Sequence, residues 1–375
     1  LTADAHGKGS LLSEANLMSK IFNTVDRKPD DLAALLYTSG TTGRSKGAML
    51  TQNNLLSNAK TLKKLWQVTK SDILIHALPI FHTHGLFVAL NTAMLAGAKV
   101  NFIPKFDIDE IIETLHASTL LMGVPTFYTR LLADYRLTEK LTKNMRLFIS
   151  GSAPLLSETH EEFTKRTGHH ILERYGMTET NMITSNPYHG ERRPGTVGKP
   201  LADVQMKITD PETGKEMAEG KIGMIEVRGP NVFKGYWNMP DKTALELRET
   251  GYFVTGDLGK LSSDGYLSIV GREKDLIISG GYNVYPKEVE DILNELNQIN
   301  ETAVFGIPDN DLGERVVAAI VLENNKNFNQ NKTEVFVNEK LARYKHPKEY
   351  FVLDSLPRNS MGKVQKNELR KRFSS

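Results

Sequence analysis

Eleven residues, Tyr37–Gly47, read YTSGTTGRSKG and combine three glycines, five Ser/Thr hydroxyls and two cations with no acid. That mixture suits a polyphosphate. Glycines let backbone N–H groups approach phosphate oxygens, hydroxyls donate, and Arg44 and Lys46 neutralise charge. DLAALLYT before it has strand length, and NNLLSNAKTLKKLW after it reads as a helix. The stretch is therefore expected as a phosphate loop between strand and helix rather than as a solvated linker. It is not the pattern G-x-x-x-x-G-K-[ST], because Ser45 precedes Lys46 and Gly47 follows it.

Other residues could complete such a site. YGMTET (Tyr175–Thr180) follows a strand-like run and supplies hydroxyls with Glu179. A carboxylate beside a phosphate loop suggests Mg²⁺, which takes oxygen ligands and bridges phosphate oxygens. TGDLG places Asp257 in a glycine-flanked turn, where a carboxylate can accept both hydroxyls of a ribose or simply satisfy its own backbone. In GREKDLIISGGYNVYPKEVE, Arg272 sits at a strand end, and Gly280 and Gly281 fall in an apolar context that marks close approach of a ligand or another backbone. His82 and His84, in LPIFHTHGL, have no evident third ligand, so gating or substrate contact is favoured over zinc. Arg192 and Arg193, in ERRPGTVG, could clamp a carboxylate bidentately or form a solvated basic turn. Lys363 is a lone lysine after a turn containing Pro and Gly, ahead of a basic run through Lys366, Arg370, Lys371 and Arg372 that reads as a solvated helix face.

The elements that must hold these residues come in three patterns. From Asp31 to about Gly176, short apolar runs (ILIHALP, AKVNFIP, TLLMGVP, MRLFISG, HHILERYG) alternate with helical stretches. In DIDEIIETLHAS the apolar Ile108, Ile111, Ile112 and Leu115 share one helical face. This alternation implies a doubly wound, mostly parallel sheet, whose ligands lie at the carboxyl ends of the strands. From Val204 to about Ser279, VQMKITD, GMIEVRG, GYFVTGD, GYLSIVG and DLIISGG read as strands of a small, mostly antiparallel, barrel-like β-subdomain. After Gly281, helix and strand patterns mix in a compact α+β unit of a common domain size. The expected division is a large domain over 1–271, with an α/β part over 1–200 and a β-rich part over 201–271, then a small C-terminal domain over 272–375.

The bulk numbers narrow the class. The chain has 375 residues, 39% of them hydrophobic and 25% charged, which suits two or three globular domains. A net charge of +2 makes no case for nucleic acid or a membrane surface as the main partner. With no cysteine, thiolate metal sites, disulfides and Cys nucleophiles are excluded. No run approaches the ~18 apolar residues of a membrane span. A cytoplasmic location is expected, or a mitochondrial matrix in a eukaryote.

Taken in order, YTSGTTGRSKG, YGMTET, TGDLG, GREKDLIISGGYNVYPKEVE and PRNSMGK resemble the core motifs of the ATP-dependent adenylate-forming superfamily, and within it LPIFHTHGLFVALNTAMLAGAKV and ERYGMTETNMITSNPY are most similar to the malonyl-CoA synthetase group. The resemblance implies a two-step ligase. A carboxylate attacks the α-phosphate of ATP and releases pyrophosphate; the CoA thiol then attacks the acyl-adenylate and releases AMP. It implies that Thr38, Ser39, Gly40, Thr41, Thr42, Gly43 and Lys46 hold the β- and γ-phosphates, that Thr178 touches the α-phosphate, and that Glu179 binds Mg²⁺. Gly151, Ser152, Ala153 and Pro154 with Glu173, Arg174 and Tyr175 would frame adenine. Asp257 and Arg272 would bind the ribose. Lys363 would bridge carboxylate and α-phosphate in the adenylation transition state. Lys274 would be the hinge of a mobile C-terminal domain, and Gly280 and Gly281 would line the pantetheine passage, where a side chain would collide.

For the acid, a dicarboxylate such as malonate or methylmalonate leaves a second carboxylate to bury, and burying it unpaired is costly. Arg192 is the expected partner, helped by His82, with Arg193 as rival. Another short-chain acyl-CoA synthetase and a carrier-charging adenylation domain stay open. Family members carry a further segment ahead of the position of Leu1, so an inactive nucleotide-binding fragment is the alternative of another class.

Overall fold

The computed structural model describes residues 2, 4, 8–38, 45–323, 326–359 and 362–374. Ser39, Gly40, Thr41, Thr42 and Gly43 of the phosphate loop lie outside the described residues. Its flanks are β1 (Leu32–Thr38) and β2 (Lys46–Thr51), which pair antiparallel with Thr38 opposite Lys46. The loop is thus expected in the wrong context by the sequence: a second strand stands between it and helix Gln52–Leu65. Gly47, Ala48 and Leu50 of β2 are buried against their neighbours, and Thr51 then caps the helix by accepting from Asn54 N.

The largest sheet is built from β3 (Ile73–His76), β4 (Lys99–Phe102), β5 (Leu120–Gly123), β6 (Leu147–Ser150), β7 (Leu172–Met177), β8 (Asn181–Ser185) and β9 (Lys199–Pro200). Its order is β4-β3-β5-β6-β7-β8-β9. The first five strands run parallel and the last two close it antiparallel. Every residue of β5 and β6 is buried, as expected where helices cover both faces of a parallel sheet. Helix Ser157–Thr167 supplies Phe163, which meets Tyr128 and Phe148 edge-on at 5.4 and 4.9 Å between ring centres. The strand order reverses between β3 and β5, so the loops leaving β3, β5, β6 and β7 open onto one crevice.

Next come β10 (Gln205–Thr209), β11 (Gly223–Arg228), β12 (Phe253–Leu261) and β13 (Leu267–Arg272), an antiparallel sheet in chain order. It is open, with no pairing of β10 to β13, so the barrel-like expectation is corrected. DLIISGG also belongs elsewhere. β14 (Ile277–Ser279) and β15 (Tyr282–Val284) form a hairpin that joins β16 (Ile299–Asp309), β17 (Gly313–Leu322) and β18 (Glu349–Leu353). Helix Pro286–Asn294, opened by proline in its first turn, packs Val289 and Leu293 onto this sheet. The apolar cores follow suit: one runs from Ala48 to Leu267, and the next begins at Ile277. Among the described residues no helix is long and apolar enough to cross a membrane.

Candidate functional site

The short 3₁₀ turn Glu273–Asp275 links the two bodies, and Lys274 lies in it. Just before it, Arg272 ends β13 directly opposite Asp257 on β12. Register alone brings the pair together: Arg272 Nε lies 2.8 Å from Asp257 Oδ1. The Tyr175 hydroxyl donates to the other carboxylate oxygen at 2.5 Å, so β7 meets β12 through this acid. Asp257 is only 5% exposed. A buried carboxylate at a crevice edge, held by a tyrosine and an arginine, can accept from a diol.

Glu179, in the turn after β7, is equally buried, and Tyr236 donates to it at 2.9 Å. Burial pushes its carboxyl up, more than the Tyr236 hydrogen bond and the Lys46 ammonium pull it down. The site is therefore short of positive charge at this carboxylate. That fits Mg²⁺, held by Glu179 together with phosphate oxygens; among the described residues no three His, Cys, Asp or Glu gather to form a closed protein cage. Thr178 is buried beside it.

Lys363 arrives from the far end of the chain. Its backbone is fixed by an Asn359 turn, with Lys363 N donating to Asn359 Oδ1 at 3.0 Å. Its side chain keeps accessible surface yet is crowded by protein, as at the floor of an open cleft. This crowding lowers its ammonium pKa; Arg272 and Arg174 add to the shift, while Asp257 and Glu179 oppose it. Its ammonium thus lies within electrostatic range of Arg272, Arg174, Asp257 and Glu179. His82 lies within its field and is pushed down by burial and by the Lys363 charge.

The acid-binding expectation requires correction. Arg192 donates to three backbone carbonyls, those of Pro187, His170 and Tyr188, at 2.7 to 3.3 Å. It staples its own loop near the amino end of β7, away from the crevice. Arg193 is paired with Glu191 and Asp264. The cation that does enter the crevice is Arg174 on β7, expected among the residues framing adenine. It is 3% exposed, and its Nε and Nη2 have no partner among the described residues. Burial without a carboxylate pushes its guanidinium down to about 9. The Gly151 backbone lies against it: a Cβ there would stand 2.4 Å from the guanidinium, so a larger residue would displace the arginine from this position. Beside it, His84 Nδ1 lies 3.2 Å from Ser152 Oγ, and its Nε2 is buried without a partner. Ser152 holds φ 73°, a strained value for serine at the tip of the loop after β6. His84 also opens a π-helical turn, His84–Leu90, a form found mostly at functional positions. The signal for Arg174 was present in the sequence as the adjacent charges Glu173 and Arg174 inside a short strand-like run, HHILERYG.

Gly280 and Gly281 form the two-residue turn between β14 and β15, with φ 58° and 80°. That is a tight hairpin geometry requiring left-handed backbone at both positions. A Cβ at Gly281 would meet no protein atom within 4 Å, so within the protein it is the left-handed backbone that calls for glycine here. Two residues that motif reading passed over, Tyr236 and Glu246, complete the wall around Lys46: its Nζ lies 3.1 Å from Glu246 Oε1 and 3.4 Å from Tyr236 Oη.

The profile of the AMP-binding enzyme family matches residues 3–237, and that of the AMP-binding enzyme C-terminal domain matches 288–363. The malonate–CoA ligase of Arabidopsis thaliana is 40% identical over 91% of this chain and 61% of its own length. The long-chain-fatty-acid–CoA ligase of Bacillus subtilis is 36% identical over 98% of this chain and 66% of its length. The chain thus spans about six-tenths of the length of the first curated relatives it matches. ATP-bound MatB from Rhodopseudomonas palustris is 56% identical and superposes with a TM-score of 0.96 over 99% of this chain and 74% of that one. Apo MatB from the same organism, at 55% identity, gives 0.82. One enzyme in two states yields the two values, so the two bodies here are arranged as in the ATP-bound form.

Proposed function

The chain belongs to the AMP-binding enzyme family, and on that premise we propose that it is an acid–CoA ligase that activates malonate with ATP. The observation that carries the choice of acid is Arg174, a buried guanidinium with two nitrogens unpaired among the described residues, whose charge acts on Lys363. A dicarboxylate presents one carboxylate to the reaction and leaves the other to be desolvated, and an unpaired buried cation is the group that stabilises it. A long apolar acid would gain nothing there. The relatives of this chain from Arabidopsis thaliana and from Mus musculus are both malonate–CoA ligases, which supports the same acid. Methylmalonate, larger by one methyl, is the nearest competitor.

In the proposed reaction the distal carboxylate rests on Arg174, and the reacting carboxylate faces Lys363. One carboxylate oxygen forms a bond to the α-phosphorus, and the bond to the β-phosphate oxygen breaks, releasing pyrophosphate. Charge moves from the acid onto phosphate oxygens, and the Lys363 ammonium, already positioned, stabilises both ends of that transfer. Tyr175, Asp257 and Arg272 hold the sugar, so that the α-phosphate is delivered at a fixed distance from Lys363. Lys46 faces the leaving pyrophosphate. Mg²⁺ held by Glu179 would neutralise charge on the triphosphate. In the second step the CoA sulfur bonds to the acyl carbon and AMP leaves. The small C-terminal domain over 272–375, turning about Lys274, would exchange Lys363 for the Gly280–Gly281 hairpin between steps.

The test is a panel of acids with Mg·ATP and CoA, following pyrophosphate and acyl-CoA. Malonate is expected to exceed acetate, butyrate and a long-chain fatty acid in kcat/KM. A monocarboxylate that surpasses malonate overturns the choice of acid. Absence of pyrophosphate release with every acid overturns the ligase reading for this chain.

A further inference from the structure

Lys46 is not free in this structure. Its Nζ lies 3.1 and 3.5 Å from the two oxygens of Glu246 and 4.5 Å above the ring of Tyr236, with only 13% of its side chain exposed. Glu246 is in turn held in place by other groups. Tyr236 Oη lies 2.6 Å from its Oε2, and Lys242, one helical turn earlier, lies 2.9 Å from its Oε1. The segment that leads into helix Pro240–Glu246 is held on β2 by backbone bonds: Met49 N donates to Gly235 O, Lys234 N to Met49 O, and Trp237 N to Gly47 O, all at 2.8 to 2.9 Å. Tyr236 itself is buried. The carboxylate thus sits against the one cation described beside the phosphate loop.

We propose that Glu246 is a built-in counter-anion for Lys46, which the polyphosphate must displace, so that this pair sets how tightly nucleotide and pyrophosphate are held. The inference rests on the nucleotide-site reading above. A lysine already paired in a partly buried site gives a phosphate less than an unpaired one, because the incoming contact replaces an existing charge-assisted bond. A fixed carboxylate a few ångströms away also repels the phosphates directly. Tyr236 and Lys242 keep Glu246 in place while Lys46 turns away. As pyrophosphate departs, Glu246 takes the ammonium back, which favours release of an anion that would otherwise leave a bare cation behind.

Two substitutions of opposite expected sign test this. Glu246→Gln keeps shape and hydrogen bonding and removes the charge; it should bind Mg·ATP and Mg·pyrophosphate about tenfold more tightly. Lys242→Met leaves Glu246 with Lys46 as its one ion-pair partner among the described residues and should weaken both by about threefold. AMP, lacking the β- and γ-phosphates, should bind either variant as it binds the wild type. Calorimetric titration of the full chain with each ligand reads these constants without turnover, and pyrophosphate inhibition should strengthen in Glu246→Gln in parallel. Weaker or unchanged ATP and pyrophosphate binding in Glu246→Gln, with AMP unaffected, overturns the inference. If Glu246→Gln does not fold, the Lys242→Met arm decides alone, and tighter or unchanged binding there overturns it. A wild-type chain that binds neither AMP nor ATP overturns the nucleotide-site reading, and the inference with it.

Discussion

Replacing Arg174 by methionine should separate stability from function. In the free protein the guanidinium is 3% exposed, two of its nitrogens have no partner among the described residues, and burial holds it down to about 9. Methionine fills similar length without a charge to desolvate, so Arg174→Met should be as stable as the wild type or more so. Malonate turnover should collapse. Truncating one partner of a buried charge pair costs about 2–5 kcal/mol, or about 30-fold to a few thousand-fold in kcat/KM. ATP affinity should not move, and butyrate should gain on malonate. Burial disfavours the charged guanidinium, so the cation costs the free protein stability that methionine would not. Pyrophosphate release and thermal unfolding measure the two effects. Malonate kcat/KM retained within about threefold would refute the clamp. A large drop in melting temperature accompanied by loss of ATP binding would show that the arginine supports the fold instead.

Three further outcomes are expected. Lys363→Ala should slow pyrophosphate release by about 10²–10³-fold and leave thioester formation from preformed malonyl-adenylate nearly intact; equal loss in both half-reactions would exclude the two-step division of labour. Asp257→Asn removes the charge that Arg272 and Tyr175 converge on, so ATP and AMP should weaken together, by about tenfold in equilibrium binding, whereas a change confined to ATP would move Asp257 away from the sugar. Gly281→Ala meets open space but a left-handed backbone, and should destabilise the chain by about 1–2 kcal/mol. It should slow the thioester step with adenylation unchanged; a normal thioester rate would remove this turn from the CoA passage.

The parallel sheet was legible because buried parallel strands are written as short, unbroken apolar runs closed by Pro or Gly, and ILIH, LLMG and LFIS each became one. Strand β2 was not, because KGAMLT carries no long apolar run and its partners, β1 and the segment around Tyr236, are fixed by distant residues. The same distance hid Glu246. Its partner Lys46 lies 200 positions away, and no local pattern distinguishes a glutamate at a helix end from any solvated one. DLIISGG was placed with the wrong sheet for a related reason. A strand's pattern records that it pairs, not with which strand.

Arg192 and Arg174 show where sequence reading loses the chemistry of a site. Adjacent arginines in a polar loop look available, and an arginine inside a buried strand, next to Glu173, looks like an exception to be explained away. Burial reverses the judgement. A loop guanidinium has carbonyls within reach and is satisfied by its own backbone, as Arg192 is. A strand guanidinium pointing into a crevice has its backbone partners committed to the sheet, so its donors stay open for something that is not protein. An isolated buried cation lowers stability, and the one arrangement that offsets the loss is an anion bound in the working complex. The residue that local chemistry would disfavour is therefore the stronger candidate for binding, and Gly151, kept small to admit it, is the second half of the same signal.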